Sequence, residues 1–229
     1  LGKELVNQGN FLFRYRSYIP LILLPLILSY NYFNDVDTSS LNNLIIAICI
    51  SCLGQFIRII TVAFVPSNTS GRNTKKQTAV SLNSTGIYSL VRHPLYLGNY
   101  FILLGPFLLY PNISLILIYT LLFWIYYERI MYAEEDYLHA KFADEFTNWS
   151  TKPSAILPNF NGFIKSDGVF SFKRVIKREY STICGIGYMF MVIISSTYYI
   201  NNKALSTISG LDHAFIINTA IYISLRTYK

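Results

Sequence analysis

A chain of 229 residues that is 52% hydrophobic, 14% charged and +7 in net charge is not composed like a soluble domain, in which about a quarter of residues are charged. Its apolar residues gather into long blocks, and at roughly 20 residues per crossing several membrane spans would use most of the length. The positive charge does not indicate a nucleic-acid partner, because Lys and Arg lie in the loops between apolar blocks, where they set membrane orientation.

The first apolar block, Tyr18–Phe33, contains Pro20 and Pro25 and is expected to tilt or kink. The second, Leu41–Val65, is long enough to span with tilt. Within it Cys49 and Cys52 make a C-x-x-C spacing. No His or second Cys pair accompanies them, so they and Cys184 read as small apolar residues on membrane helices. A polar stretch, Pro66–Ser89, follows. Two blocks, Leu95–Tyr110 and Ile113–Met131, are separated only by Pro111 and Asn112, so they form an antiparallel hairpin. In the polar region Tyr132–Tyr180, the segment Glu134–Trp149 carries Leu138, Phe142, Phe146 and Trp149 at helical spacing, the stripe of an amphipathic helix. Ser181–Ile200 is a fifth block and Ala214–Leu225 a short sixth.

Apart from Lys203, and from Arg58 and Arg129 in or beside spans, every Lys and Arg falls in segments that six crossings place on one side. The positive-inside tendency then makes both termini cytoplasmic. The expected fold class is all-α: a polytopic membrane helix bundle of about six transmembrane helices, integral to the inner or cytoplasmic membrane. Three parts are expected: residues 1–85 with the first spans and a loop, 86–160 with the hairpin and amphipathic helix, and 161–229 with a basic segment and the last spans.

Two polar clusters stand at the cytoplasmic ends of spans. In the first, Gly86-Ile87-Tyr88 leads to Arg92-His93-Pro94-Leu95-Tyr96-Leu97-Gly98. Pro94 suits the first turn of a helix, where a missing N–H costs nothing, so Arg92 and His93 stand at that helix's mouth. Gly98 permits another group to approach the backbone closely. The second cluster is Glu128, Arg129, Glu134 and Glu135. Ionisable groups at the end of an apolar span are costly unless they face a cavity or a partner. Arg58 lies in the second block and is expected to pair with Glu128, reach an anionic head group, or snorkel to the interface.

The order Gly86-x-Tyr88, Arg92-His93-Pro94-x-Tyr96-x-Gly98, an apolar hairpin, then Glu134-Glu135-x-x-Leu138-x-x-x-Phe142 and on to Pro158 resembles the isoprenylcysteine carboxyl methyltransferases and their phospholipid methyltransferase relatives. The stretch Ser70-Gly71-Arg72-Asn73-Thr74 looks like bacterial members. The resemblance implies a helical membrane bundle with a cytoplasmic pocket for S-adenosylmethionine. It also implies a membrane lipid or lipidated acceptor that enters sideways between helices. Carried over residue by residue, Tyr88, His93, Pro94, Tyr96 and Glu134 would hold the cofactor, with Leu82 and Glu135 as neighbours. Arg92, Arg129 and Glu135 are the candidates for work at the acceptor. One departure is Ile130, where the isoprenylcysteine enzymes have an arginine four residues before the first glutamate. It tilts the expected acceptor from a prenylcysteine carboxylate to a lipid phosphate or amine. The rival readings are an NADPH-dependent membrane reductase of the sterol type, which shares a His-Pro-x-Tyr segment, and a non-catalytic transporter or scaffold. Oligomeric state is not legible.

Overall fold

The computed structural model describes residues 1–34, 40–65, 77–202 and 210–228, the side chains of 19–21 and 202 excepted. The Ser70–Thr74 stretch, Arg72, Lys75, Lys76, Asp35, Asp37, Lys203 and Lys229 lie outside the described residues. The chain runs α1 (Gly2–Tyr15), α2 (Ile19–Asn34), α3 (Leu41–Phe64), α4 (Pro94–Phe107), α5 (Ile113–Ser150), α6 (Phe172–Asn202) and α7 (Leu211–Tyr228). No strand occurs among the described residues; Val91 and Ser154 form an isolated parallel bridge. The protein is an all-α membrane helix bundle.

Three helices, α3, α5 and α6, are long and apolar enough to cross a bilayer, or four if the bent α1–α2 pair is one span. Hydropathy led to an expectation of about six. The difference lies in α4 and α7. Helix α4 has 14 residues, about 21 Å of helix, which falls short of the roughly 30 Å hydrocarbon core. Helix α7 has 18 residues, among them Asp212, His213, Asn218 and Arg226, and packs along α6.

The expected amphipathic helix is not a separate element. Helix α5 runs for 38 residues from the span straight into the Glu134–Trp149 stripe, broken only at Ala143, whose φ is 42°. This continuity carries Glu134 and Glu135 rigidly on the end of a span. The stripe packs inward, with Phe146 and Trp149 buried. At the other end Asn112 caps α5 by accepting from the Leu115 N–H at 3.0 Å.

Helix α1 was not foreseen. Its Gly9 lies directly against α5, where an added Cβ would sit 2.1 Å from the Arg129 carbonyl oxygen. Tyr126 donates its hydroxyl to the Leu12 carbonyl at 3.0 Å. Helices α3 and α4 pack still more intimately. A Cβ at Gly54 would meet the Gly98 carbonyl oxygen at 2.4 Å, and Ser51 donates to the Ile102 carbonyl at 2.9 Å. Small residues permit such approach where no water-driven force brings helices together. The aromatic core at the α4–α5 hairpin contains Phe107, Tyr110, Tyr119, Phe123 and Tyr127.

Candidate active site

The segment leading into α4 is strung along the segment that leaves α5. Arg92 N–H donates to the Ser154 carbonyl at 2.9 Å and His93 N–H to the Ala155 carbonyl at 3.1 Å. Gly86 turns the chain with a φ of 63°, and its N–H donates to the Ile164 carbonyl at 2.8 Å. These bonds leave His93 as the N-cap of α4 and Pro94 in its first turn, as the sequence suggested. Two chain segments far apart in sequence thus fix the mouth of one helix beside the glutamates of another.

At that mouth the side chains form a closed ionic cluster. Tyr96 donates its hydroxyl to Glu134 Oε1 at 2.8 Å. His93 Nε2 lies 2.8 Å from Glu135 Oε1, and His93 Nδ1 lies 3.6 Å from Glu134 Oε2. Arg92 donates from Nε to Glu135 Oε1 at 2.8 Å and from Nη1 to the carbonyls of Ser150 and Pro153 at 2.9 and 2.8 Å. Its guanidinium therefore ties Glu135 to the end of α5. Glu134 has no arginine partner among the described contacts, and its carboxylate faces the cavity described below.

Burial by itself pushes the His93 imidazole down, but its hydrogen bonds and charge interactions with Glu134 and Glu135 outweigh this, and the net shift is upward from 6.5. A histidine whose folded value is raised adds stability that is fully present below its unfolded value and lost as pH rises through the folded one. Thermal unfolding of the purified protein, followed from below pH 6.5 to above the raised value, should show stability falling as the imidazolium deprotonates. The His93→Gln variant should lose that component. An unchanged slope in the variant would remove His93 as its source.

The cluster opens into a cavity of about 820 Å³, within the size range of small-molecule and cofactor sites. Leu82, Tyr88, Leu138, Phe146 and Trp149 line its mouth together with His93, Pro94, Tyr96, Glu134 and Glu135. Trp149 Nε1 donates to the Tyr88 carbonyl at 3.2 Å, which fixes this aromatic wall. The inner end is apolar, with Leu23 and Ile27 of α2, Ile102, Leu103 and Phe107 of α4, and Ile193 of α6 on its walls. Between the two ends stands a polar band. Arg58 binds Glu179 through Nε and Nη2, each at 2.8 Å, and donates from Nη1 to Asn99 Oδ1 at 2.6 Å. Asn99 in turn donates to the Tyr127 hydroxyl at 3.1 Å.

Of the residues singled out in the sequence, Leu82, Tyr88, Arg92, His93, Pro94, Tyr96, Glu134 and Glu135 converge on the cavity. Arg129 does not. It faces α1, donating to Gln8 Oε1 at 2.9 Å and to the Ile125 carbonyl at 2.6 Å, because the helical turn from Glu134 points it away. Arg58 pairs with Glu179 rather than with Glu128, which is exposed. Glu179 is the residue that sequence reasoning missed. It ends the basic run Lys173–Arg178, where it reads as one more loop charge. An arginine inside the apolar Leu41–Val65 block needed an acidic partner, and that need was the available signal.

Residues 38–145 match the family model described as phospholipid methyltransferase, a segment that takes in α3, α4 and most of α5. The chain is 33% identical over 109 residues to the protein-S-isoprenylcysteine O-methyltransferase of Schizosaccharomyces pombe, a stretch covering 46% of this chain and 45% of that protein. It is 31% identical over 112 residues to the Saccharomyces cerevisiae protein of the same name, again 46% and 45% of the two chains. With the Tribolium castaneum protein of that name it shares 25% over 119 residues, 52% of this chain and 42% of the other. The chain thus spans less than half the length of the curated relatives it matches, and none of these relatives is bacterial. No solved structure matches.

Proposed function

Because this chain belongs to the family of phospholipid and isoprenylcysteine methyltransferases, we propose that it transfers a methyl group from S-adenosylmethionine to a lipid or lipid-linked acceptor held in the bilayer. The observation that carries this reading is one cavity with a carboxylate at its polar mouth and an apolar inner end walled by α2, α4 and α6. The donor set suits the cofactor. Glu134 offers a carboxylate to a cationic or hydroxyl-bearing group, and the Tyr88–Trp149 wall offers apolar and aromatic surface to a flat ring. When bound, S-adenosylmethionine supplies a methyl group already activated by its sulfonium.

The residues then have mainly to orient and to exclude water, and orientation can be worth about 7–11 kcal/mol. Tyr96 fixes the Glu134 carboxylate, and Arg92 and His93 fix Glu135, so that α5 presents both acids at the α4 mouth. Arg92 is in this reading a positioning residue, and Arg129 has no part. The polar band of Arg58, Asn99 and Glu179 lies where an acceptor's head group would meet the mouth, and its apolar chain would extend toward Ile27 and Ile193. A carboxylate, phosphate or amine acceptor fits this arrangement. Ile130, fully buried in the aromatic core, brings no charge to the acceptor. The concentration of Lys and Arg on the side of the mouth supports a cytoplasmic site in the cell membrane.

The reading is tested with purified protein in vesicles made from a total lipid extract, supplied with methyl-labelled S-adenosylmethionine. Label is expected in the lipid or lipidated-protein fraction, and its absence with folded protein would overturn the proposal.

A further inference from the structure

The end of α3 and the start of α6 lie beside one another. Ser171 N–H donates to the Ala63 carbonyl at 3.1 Å, Arg174 Nη1 to the same carbonyl at 3.0 Å, and the rings of Phe64 and Phe170 meet edge-on at 5.7 Å. The segment between α5 and α6 returns at this level, so its height on the molecule is set by the ends of two spans. It is not itself a span, yet it exposes Leu157, Phe160, Phe163, Val169 and Phe170, with Val169 84% exposed and Leu157 78%, and Phe172 at the start of α6 is exposed beside them. Lys152, Lys165, Lys173 and Lys177 are exposed around them, and Asp167 is the single acid in residues 151–177.

Large apolar side chains gain by leaving water, and aromatic rings settle at the boundary between head groups and acyl chains. Lysines beside such a set face the charged layer just above it, and each changes binding to an anionic surface roughly fivefold. We propose that residues 157–172 form a membrane-docking loop that lies in the interfacial layer and recognises an anionic lipid surface. This surface stands apart from the cavity and does not depend on the chemistry proposed for it. The same loop carries the Ile164 and Asn159 backbone groups that bond to Gly86 and Leu90, so its seat on the lipid and the placement of Tyr88 belong to one mechanical unit.

The test places a spin label at Val169→Cys in a background of Cys49→Ala and Cys52→Ala, leaving the buried Cys184. The protein is reconstituted in discs of phosphatidylcholine, with or without phosphatidylglycerol. In the anionic discs the label is expected to collide severalfold more with oxygen than with a water-soluble nickel chelate, relative to a control label at Asp144→Cys. That ratio should fall severalfold in the uncharged discs, and likewise when Lys152, Lys165, Lys173 and Lys177 are all changed to Gln. A label as open to nickel as the Asp144 control in both lipids overturns the docking loop and leaves the patch to a protein partner. A label equally deep in both lipids overturns the recognition of anionic charge. Neither result bears on methyl transfer.

Discussion

Glu134→Gln is expected to weaken the binding of S-adenosylhomocysteine by about 30-fold to more than a thousandfold, the equivalent of about 2–5 kcal/mol for removing one partner of a buried charged contact. The substitution is nearly isosteric, and its amide oxygen still accepts the Tyr96 hydroxyl that Glu134 Oε1 accepts in the native protein. What it removes is the carboxylate charge that faces the cavity. Glu135 is already committed to Arg92 and His93, so it is not placed to substitute. Above the raised His93 value, unfolding in detergent should stay close to that of the parent, because Glu134 is not the partner that Arg92 needs; below it, the variant loses the part of the imidazolium's stabilisation that Glu134 supplies. Calorimetric titration reads the binding loss directly. Binding that survives unchanged in the variant would take the cofactor away from this carboxylate.

The second large effect concerns stability. Glu179→Ala is expected to cost about 3–5 kcal/mol, since it leaves a partly buried Arg58 without its counter-charge. The carboxylate side chain of Glu179 is 1% exposed and accepts from Arg58 Nε, Arg58 Nη2 and Gln55 Nε2. Three donors would therefore lose one acceptor group together. Arg58 has little room to escape, because its aliphatic stem fills the space that Gly98 leaves open on α4. The double variant Arg58→Met with Glu179→Leu should recover most of the loss, as apolar pairs often replace buried ion pairs at little cost. Thermal unfolding of Arg58→Met, Glu179→Leu and the double variant forms a double-mutant cycle, and additive losses would mean that the pair is not coupled.

Much of this site could be read from residue order. Pro94 dictated a helix start, and that start placed His93 at its cap and Tyr96 one turn inside, where both reach the glutamates. The stripe Leu138, Phe142, Phe146 and Trp149 marked an amphipathic helix without saying whether it faced the bundle or the interface, and Leu138, Phe146 and Trp149 form a wall of the cavity. Long-range pairings were out of reach. Nothing local in Lys173–Tyr180 says that Glu179 is the charge that becomes fully buried, because that choice is made by Arg58, 121 residues away. Helix α1 escaped notice because its stripe of Leu5, Gly9, Leu12 and Phe13 contains a glycine at the contact and is followed by Arg14 and, just beyond the helix, Arg16. Hydropathy suggested about six crossings, whereas three described helices, or four with the bent pair, are long and apolar enough to cross, for a related reason. Hydropathy registers apolar composition, while α4 is apolar but only 14 residues long and buries much of its surface against α3.

The most direct measurement on the central claim is calorimetric titration of the purified protein with S-adenosylhomocysteine, with NADPH titrated in parallel. Saturable S-adenosylhomocysteine binding, lost in His93→Ala and Glu134→Ala, with no heat from NADPH, is the result this account predicts. Folded protein that binds NADPH and not S-adenosylhomocysteine would contradict it and point to reductive chemistry at the same cavity.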